Sequence, residues 1–317
     1  MTPTDLLLAC AVDVAVGDPQ WLPHPVRGMG YLVHRFEQGI RLLCVRSSAL
    51  RLAGIVLALG LPAVASLFGW IVIAAGTAAH EWIGRGIEIC LASTTLAWRD
   101  LVRHVGAVSA SLKANSVGQA RAAVGLIVGR DTDGLSKAEV VRATVETLAE
   151  SASDGVIAPL LYLAVGGAPL ALAYKAVSTL DSIVGHRDER FRDFGWASAK
   201  LDDLVNWIPA RMTAALMVVA AGINFRNPRH VIRSASILWR DGHKHPSPNS
   251  GRPEASMAGA LGVRLGGMNV YGGVPQERPL LGDGIEPLSV KHIDQATRIV
   301  TIAYLLAVAM AAGYRWL

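Results

Sequence analysis

Residues 52–79 form a run without a single charged side chain. About 20 consecutive apolar residues are enough to cross the hydrocarbon core of a bilayer, so this run predicts a transmembrane helix. Apolar runs at 204–224 and 296–316 predict two further spans, and residues 84–98 predict a weaker one that carries Glu88. We therefore expect an all-α, polytopic integral membrane protein with about four or five transmembrane helices plus amphipathic and interfacial helices.

Residues 156–178 are also apolar, but Gly166, Gly167 and Pro169 interrupt them. A broken or re-entrant helix therefore competes with a simple span, since irregular backbone at membrane depth is tolerated only where protein or a cavity covers it. Lys175 lies in this run. A charge in such a place is costly, which makes Lys175 a functional candidate; a snorkelling lysine near a helix end is the other interpretation.

The composition limits the classes of protein that this chain can belong to. Hydrophobic residues make up 52% of the 317 positions and charged residues 17%, with a mean hydropathy of +0.37, which is too apolar for an ordinary soluble domain. The net charge of +5 fits basic cytoplasmic loops beside anionic lipid. Basic residues are scattered, so nucleic acid is not an expected partner. We expect a multi-pass protein of the cell (inner or cytoplasmic) membrane.

A helix is predicted from Ser136 onward. Ser136 and Glu139 match the capping-box pattern, in which each side chain accepts a hydrogen bond from the backbone of the other residue. Apolar residues then recur at helical spacing as far as Leu148. Gly155 is the expected end of this helix.

The same predicted helix carries an acidic stripe. Glu146, Glu150 and Asp154 follow one another at intervals of four residues. Eight helical residues rotate by only about 80° beyond two full turns, so the three carboxylates share one face. Like charges at this spacing repel by about a few tenths of a kcal/mol, and a carboxylate near a helix end opposes the dipole. A solvated helix face is the simple interpretation, and a functional site is the alternative.

A second acidic group supports the functional alternative. Asp202 and Asp203 lie on the next predicted helix, and Arg211 lies beyond them. Carboxylates on both sides of an apolar segment suggest Mg²⁺ that carries phosphate. The cations in the same region of the sequence are Arg130, Lys175, Arg187, Arg190 and Arg211.

Two loops complete the set of candidates. Prolines and glycines in residues 17–30 predict a rigid loop that presents His24 and Arg27 as an anion-binding element, or else a stiff connector, before an amphipathic helix over 28–51. The stretch from Asp241 to Gly273 is rich in Pro, Gly and Asn, and predicts a long loop without regular structure.

That second loop offers polar groups on a stiff frame. Asn249 and Glu254 lie in SPNSGRPE and are candidates for closing a site. His243 and His245 lack further ligands in the sequence nearby, so surface positions are favoured over a metal site.

Four long motifs appear together in this chain: GDPQWLPHPVRGMG at 17–30, the stretch 129–159, the stretch 173–211, and SPNSGRPEASMAGALGVRLGG at 247–267. With these motifs in this order, the chain resembles the cobalamin-biosynthesis membrane protein family called CobD or CbiB, the adenosylcobinamide-phosphate synthases. The resemblance covers nearly the whole length and implies one membrane domain over 1–317, with polar insertions at about 99–155 and 226–295. Ser151 and Ser178 stand where the family usually has Asn, and His186 where it often has an aromatic residue.

The resemblance implies a reaction. Cobyric acid, or its adenosylated form, is joined to (R)-1-amino-2-propanol or its O-phosphate in an amide ligation that uses ATP and Mg²⁺, and the product is cobinamide or its phosphate. A carboxylate does not condense with an amine at neutral pH until its oxygen becomes a leaving group. Phosphorylation by ATP supplies one, and the acyl phosphate is then open to attack by the amine. Such a site needs carboxylates for Mg²⁺, cations for phosphate and a base for the amine proton.

These needs assign a hypothetical role to each candidate. The expected catalytic residues are Glu150, Asp154, Lys175 and Asp181. The expected substrate- and phosphate-binding residues are His24, Arg27, Arg130, Arg211, Asn249 and Glu254. The expected magnesium ligands are Glu146, Glu150, Asp154, Asp202 and Asp203. ATP and Mg²⁺, a corrinoid, the amine and the lipid bilayer are the expected partners, with other late cobalamin-pathway membrane enzymes as a further possibility.

Two other readings of the chain remain open. A transporter for a corrinoid or another anionic metabolite would use the intramembrane Lys175 and the broken segment around it. A non-catalytic membrane scaffold for corrinoid enzymes would tolerate changes in the acidic stripe. Amide formation by the purified protein separates both readings from a ligase.

Overall fold

The computed structural model describes residues 1–19, 21, 24–43, 46–186 and 188–316. The elements run in this order: α1 Pro3–Val16, α2 Pro25–Leu43, α3 Ser47–Ala79, α4 Glu81–Ser93, α5 Trp98–Lys113, α6 Val117–Gly125, α7 Lys137–Ala152, a π-helical turn Ser153–Ile157, α8 Ala158–Val184, α9 Trp196–Val205, α10 Trp207–Phe225, α11 Pro228–Asp241, α12 Gly251–Leu261, β1 Leu265–Tyr271, β2 Val274–Leu281 and α13 Val290–Trp316.

Contacts between Cα atoms group the chain into two compact units. Unit 1 comprises Met1–Ala97, Ala158–Asn206 and Val308–Leu317, and unit 2 comprises Trp98–Ile157 and Trp207–Ala307. The single membrane domain expected from the sequence stays a prediction.

Four helical segments in the described ranges are long and apolar enough to cross a membrane: α3, the run Lys137–Val184 that contains α7 and α8, α10, and α13. The predicted all-α, polytopic membrane class is confirmed, with β1 and β2 forming a small antiparallel hairpin. The weaker span predicted at 84–98 is wrong. Helix α4 has 13 residues and reaches only about 20 Å, which is short of a hydrocarbon core about 30 Å thick.

The helix boundaries near the N-terminus differ from those expected. The loop predicted at 17–30 ends at Pro25, where α2 begins, because proline's fixed φ and missing donor cost nothing at the first helical position. The helix predicted over 28–51 is two helices, α2 and α3. Residues 20, 22, 23, 44 and 45, which belong to these two predictions, lie outside the described residues.

Unit 1 has its core between α2, α3 and α8, where Val33, Leu61 and Leu180 are buried. One glycine allows an unusually close approach. A Cβ atom added at Gly54 in α3 would lie 1.9 Å from the backbone oxygen of Phe194. Only glycine therefore fits at this point of α3.

The start predicted for α7 is confirmed and its end is wrong. Ser136 Oγ accepts from the Glu139 backbone N–H at 3.3 Å, and Glu139 Oε2 accepts from the Ser136 N–H at 2.7 Å. Beyond α7, however, the chain continues through the π-helical turn into α8. Burial of Val156 and Ile157 outweighs the low helix propensity of Gly155.

The break predicted in the 156–178 segment is confirmed. Gly167 has φ 69° and ψ −165°, so α8 is interrupted there, two residues before Pro169. Arg315 Nη2 donates to the backbone oxygen of Leu163, four residues before Gly167, at 2.9 Å. Irregular backbone is tolerated in a lipid environment only where protein groups satisfy it, and this side chain supplies a donor beside the break.

The long irregular loop predicted after Asp241 is wrong. It contains α12, almost all of whose residues are buried, and the β1–β2 hairpin. Helix α12 packs against α10 and α11, and Ser234 Oγ on α11 donates to the Ser256 backbone oxygen at 2.8 Å. Tertiary packing therefore overrides the local turn preference of the Gly, Pro and Asn residues.

Candidate active site

A cavity of about 210 Å³ lies within unit 2. Its charged and ionisable lining residues come from four places: Arg130 before α7, Glu146 and Glu150 on α7, His245 and Glu254 on the segment that leads into and forms α12, and Arg278 on β2. Thus Arg130, Glu146, Glu150 and Glu254, which the sequence predicted as site residues, come together here although up to 124 positions separate them in the chain.

Glu146 forms a buried ion pair at this cavity. Its Oε2 accepts from Arg130 Nη2 at 2.6 Å, and its Oε1 accepts from the Gly266 backbone N–H at 2.7 Å. Glu146 and Arg130 are each 9% exposed. Both carboxylate oxygens are therefore engaged by protein donors, and Glu146 holds Arg130 and the hairpin instead of standing open as the predicted magnesium ligand.

Arg142 fastens the hairpin to α7. Its guanidinium donates to the backbone oxygens of Gly266 and Met268, the latter at 2.7 Å, and to Asn269 Oδ1 at 2.9 Å. Arg130 donates to the same Asn269 oxygen. Two buried arginines thus fix the strand that forms one wall of the cavity, and the Nε of Arg130 remains without a hydrogen-bond partner in the described structure.

Glu150, one helical turn beyond Glu146, also lines the cavity. Ser250 Oγ at the start of α12 donates to Glu150 Oε1 at 2.7 Å. The preceding turn is ordered by Ser247, whose Oγ accepts from the backbone N–H groups of Asn249 and Ser250 at 3.3 Å each. Asn249 is buried in this turn and is not among the lining residues, and its closing role stays a prediction.

Glu254 lies at the cavity with its side chain almost completely buried, since the residue is only 7% exposed. Burial raises the pKa of Glu254 well above its ordinary value, and the nearby carboxylates of Glu146 and Glu150 raise it further. None of the described residues donates a hydrogen bond to this carboxyl group or forms an ion pair with it. A buried carboxyl group without a partner is costly, which singles it out as a functional candidate.

Three further lining residues were missed or misjudged from the sequence. His245, expected at the surface, is partly buried at the cavity, and burial lowers the pKa of its imidazole. His243, in contrast, is exposed as expected. Arg278 and Tyr271 carry no motif; Arg278 donates to the Tyr271 hydroxyl at 3.3 Å across the hairpin. Only a correct prediction of that hairpin would have revealed them.

Besides Asn249, two more predicted residues of unit 2 lie outside the cavity lining. Asp154 is on the π-helical turn and is partly buried. Arg211 on α10 donates from Nη1 to the Trp207 backbone oxygen at 2.8 Å, and its guanidinium stacks on the Trp207 ring at 3.9 Å. Arg211 is thus folded along its own helix, and its predicted contact with phosphate is not part of this cavity.

The remaining predicted residues belong to unit 1. His24 precedes α2, where its Nδ1 accepts from the Val26 backbone N–H at 3.3 Å and its Nε2 contacts Asp18 Oδ1 at 3.0 Å. Both ring nitrogens are therefore used within the fold. Arg27 lies on the first turn of α2 and donates to the Pro19 backbone oxygen at 3.3 Å.

Four further unit 1 candidates lie on α8 and α9: Lys175, Asp181, Asp202 and Asp203. The only one of them at a described cavity is Asp203, which pairs with Lys200 at 3.5 Å and lines a space of about 470 Å³ with Arg192 and Trp196. Arg187, part of the predicted group of cations, lies outside the described residues.

Comparison with known proteins decides the family. A family model described as CobD/Cbib protein matches residues 6–300. The chain is 46% identical to the cobalamin biosynthesis protein CobD of Geobacter metallireducens, with 97% of this chain and 95% of that protein covered. It is 42% identical to CobD of Klebsiella pneumoniae, over 98% and 96%, and 41% identical to CbiB of Salmonella typhi, over 97% and 96%.

The chain belongs to the CobD/CbiB family. The resemblance found from the four motifs is thereby confirmed. No solved structure matches the chain.

The family's expected magnesium was tested against the donors that the fold brings together. No group of three or more His, Cys, Asp or Glu side chains in the described ranges is arranged to hold a metal ion. Both carboxylate oxygens of Glu146 accept hydrogen bonds from protein donors, so Glu150 and Glu254 are the lining acids with oxygen lone pairs available to a ligand. These residues do not form a resident all-protein site; magnesium more commonly enters such sites together with substrate phosphates.

Proposed function

We propose that this chain acts in cobalamin biosynthesis as an acid–amine ligase. In the proposed reaction the propionate carboxylate of (adenosyl)cobyric acid attacks the γ-phosphorus of ATP, and ADP leaves. The amine of (R)-1-amino-2-propanol or its O-phosphate then attacks the acyl carbon. The amide forms, inorganic phosphate leaves and the amine gives up a proton. The membership of the chain in the CobD/CbiB family and the names of its relatives support the pathway.

The unit 2 cavity is the observation that carries the proposal. It combines Glu150 and Glu254 with Arg278 around one space, and the Glu254 side chain is largely removed from water. Acid–amine ligation requires this combination, because phosphate charge needs cations and the incoming amine needs an acceptor for its proton. Electrostatic interactions gain strength where water is excluded.

The size of the cavity restricts what it can hold. Pockets for drug-sized ligands usually measure about 300–1,000 Å³, and this one is about 210 Å³. A corrinoid or a whole nucleotide exceeds it. We therefore propose that the cavity takes the reacting ends of the substrates, and that Mg²⁺ arrives as the counter-ion of ATP.

Residues outside the cavity keep their proposed roles as hypotheses to be tested. Asp154, Asp202 and Asp203 are proposed to contact magnesium, and Lys175 and Asp181 to take part in catalysis. His24, Arg27, Arg211 and Asn249 are proposed to bind substrate. The four candidate spans support a membrane location, for which we propose the inner membrane of the cell, with contacts to other late corrinoid enzymes.

The direct test uses the purified protein in detergent or lipid. Corrinoid acid, amine, ATP and Mg²⁺ are incubated together and the amide is detected by mass. We expect a product that depends on all four components and on the protein. Substrate movement across vesicles without product would instead favour a transporter, and the absence of both would favour a scaffold.

Isotope transfer tests the activation step. With ¹⁸O in the corrinoid carboxylate, one labelled oxygen is expected in the inorganic phosphate that is released. Unlabelled phosphate accompanied by amide formation would contradict an acyl-phosphate intermediate.

A further inference from the structure

Glu254 differs from the other acids of the cavity in what surrounds it. Glu146 is held by Arg130 and by the Gly266 N–H, and Glu150 accepts from Ser250. Glu254 is 7% exposed and has no donor or cation bound to it among the described residues. Desolvating a carboxylate without a compensating partner costs about several kcal/mol. A ligand that supplies the missing donor or positive charge would remove this cost, so Glu254 is a candidate ligand-binding group.

The charges around Glu254 indicate the sign of that ligand. The groups that face it are Glu146 and Glu150 from α7, Arg130 from the segment before α7, Arg278 from β2 and His245 from the preceding turn. Arg130 is neutralised by Glu146, and burial favours the uncharged imidazole of His245. When Glu254 ionises, it and Glu150 together outnumber the single remaining cation, Arg278. A positive group beside Glu254 would stabilise this ionised form and be bound, whereas a phosphate group would be repelled by it.

The volume distinguishes among positive groups. A volume of about 210 Å³ lined by the acceptors Glu150 and Glu254 fits a short primary ammonium compound. An ammonium ion carries three donors, which suits Glu254 together with the free lone pairs of Glu150. No three His, Cys, Asp or Glu side chains in the described part of the chain are arranged to hold a metal ion together, which argues against a resident divalent cation at the same place.

We propose that Glu254, assisted by Glu150, binds the ammonium group of the amine substrate. This assignment rests on the proposed function for the identity of the amine, and it narrows the substrate- or phosphate-binding role expected for Glu254 to the amine substrate. In this arrangement the nitrogen is held inside the cavity, and the acyl carbon must approach from the mouth. Glu254 is a substrate-binding residue in direct contact with the nucleophile.

The test measures amine binding by itself, without ATP or corrinoid. Labelled 1-amino-2-propanol and its phosphate are dialysed to equilibrium against the purified full-length protein, the Glu254→Gln variant and the Glu277→Gln variant. Glu277 is an exposed residue on β2, so it provides the same chemical change outside the cavity. Charge-assisted hydrogen bonds are strong enough that we expect Glu254→Gln to weaken binding at least tenfold, with Glu277→Gln unchanged.

Two further measurements keep the proposal falsifiable. On the wild type, 1,2-propanediol and its phosphate, which lack the amine, should compete at least tenfold less well than their amino counterparts. In the ligation assay, Glu254→Gln should raise KM for the amine and leave the magnesium requirement unchanged. Equal competition by the diols, unchanged amine binding in Glu254→Gln, no amine binding to the wild type, or a raised magnesium requirement would each overturn the proposal.

The proposal and the ligase function fail in different ways. Amine binding that needs Glu254, in a protein that forms no amide, would leave the ammonium site standing and remove the ligase. Amide formation, together with amine binding that is unchanged in Glu254→Gln, would keep the ligase function and remove the ammonium site.

Discussion

Two buried acids of unit 1 are paired with arginines, whereas one buried acid of the unit 2 cavity has no partner among the described residues. In unit 1, Asp5 accepts from Arg85 at 2.9 Å, and Glu37 accepts from Arg190 at 3.0 Å and also from Arg41. In unit 2, Glu254 is equally removed from water and lacks any such donor in the described structure. This contrast distinguishes buried acids that stabilise the fold through ion pairs from a buried acid that is available to bind a ligand.

Within unit 2 the same contrast appears between neighbours. Glu146 and Glu150 are one helical turn apart on α7, yet Glu146 has two protein donors and Glu150 has a single hydroxyl group. The carboxylates of the acidic stripe therefore differ in their surroundings. Glu146 is paired and stabilises the hairpin, whereas Glu150 faces the cavity.

The largest expected effect comes from breaking the buried pair. Arg130→Met leaves the buried Glu146 carboxylate with the Gly266 N–H as its hydrogen-bond donor and with Arg142 Nη1 at 4.0 Å, and removing one partner of a buried pair costs about 3–5 kcal/mol. We expect a clear loss of thermal stability in detergent and no ligation. The double variant Arg130→Met with Glu146→Gln should recover much of the stability. A single variant as stable as the wild type would show that the pair does not hold the hairpin.

Next in size is the paired acid of unit 1. Burial by itself would raise the pKa of Glu37. Hydrogen bonds from Arg190 and Arg41 together lower it by more, so the pKa in the folded protein lies below the ordinary value. The stability that Glu37 contributes is fully present above the unfolded pKa, and it is lost as the pH falls through the folded pKa. At neutral pH we expect Glu37→Gln to cost about 1.5–3 kcal/mol in denaturant unfolding.

Glu254→Gln is the matched comparison for Glu37→Gln. Because it removes an unpartnered buried acid, no loss of stability is expected at neutral pH. Equal destabilisation by the two variants would remove the distinction between paired and available acids.

A smaller effect is expected from the close approach in α3. The Cβ of Gly54→Ala would meet the Phe194 backbone oxygen, and overpacking of this kind costs about 1–3 kcal/mol. Gly60→Ala lies on the same helix with nothing within 4 Å of its Cβ. There we expect a gain of about 0.5–1 kcal/mol. The unfolding midpoints of both variants and the wild type are measured in the same detergent. A Gly54→Ala variant as stable as the wild type would contradict the packing described for unit 1.

The smallest effect is expected at His24. Loss of the side chain that accepts from the Val26 N–H should cost about 0.5–2 kcal/mol, as for other helix caps, and His24→Asn should keep most of that stability. If His24 serves only as a cap, the amide-forming rate of His24→Asn stays within about twofold of the wild type. A large loss of rate at unchanged stability would instead support the substrate-binding role predicted from the sequence.

Local signals were enough for the parts of the fold that depend on neighbouring residues. The capping box at Ser136, the apolar spans at 52–79, 204–224 and 296–316, and the break at Gly167 depend on short stretches of sequence, and each is confirmed. The end expected at Gly155 and the loop expected after Asp241 failed, because buried contacts override local preference there.

The sequence predicted only part of the candidate site, because tertiary contacts decide which residues meet there. Arg130, Glu146, Glu150 and Glu254 stood out as charged residues in long motifs, but which of them pair is settled by tertiary contacts. Arg278 reaches the cavity only through the hairpin, whose local signal is the two-residue turn Gly272-Gly273.

The central claim, that the unit 2 cavity carries the reaction, is tested most directly at Glu150. The rate of amide formation is measured for the wild type, Glu150→Gln and the exposed control Glu277→Gln at equal amounts of folded protein. The account predicts that kcat/KM falls at least 100-fold in Glu150→Gln, which corresponds to about 2.7 kcal/mol, and stays within twofold in Glu277→Gln. Equal rates for Glu150→Gln and the wild type would contradict it.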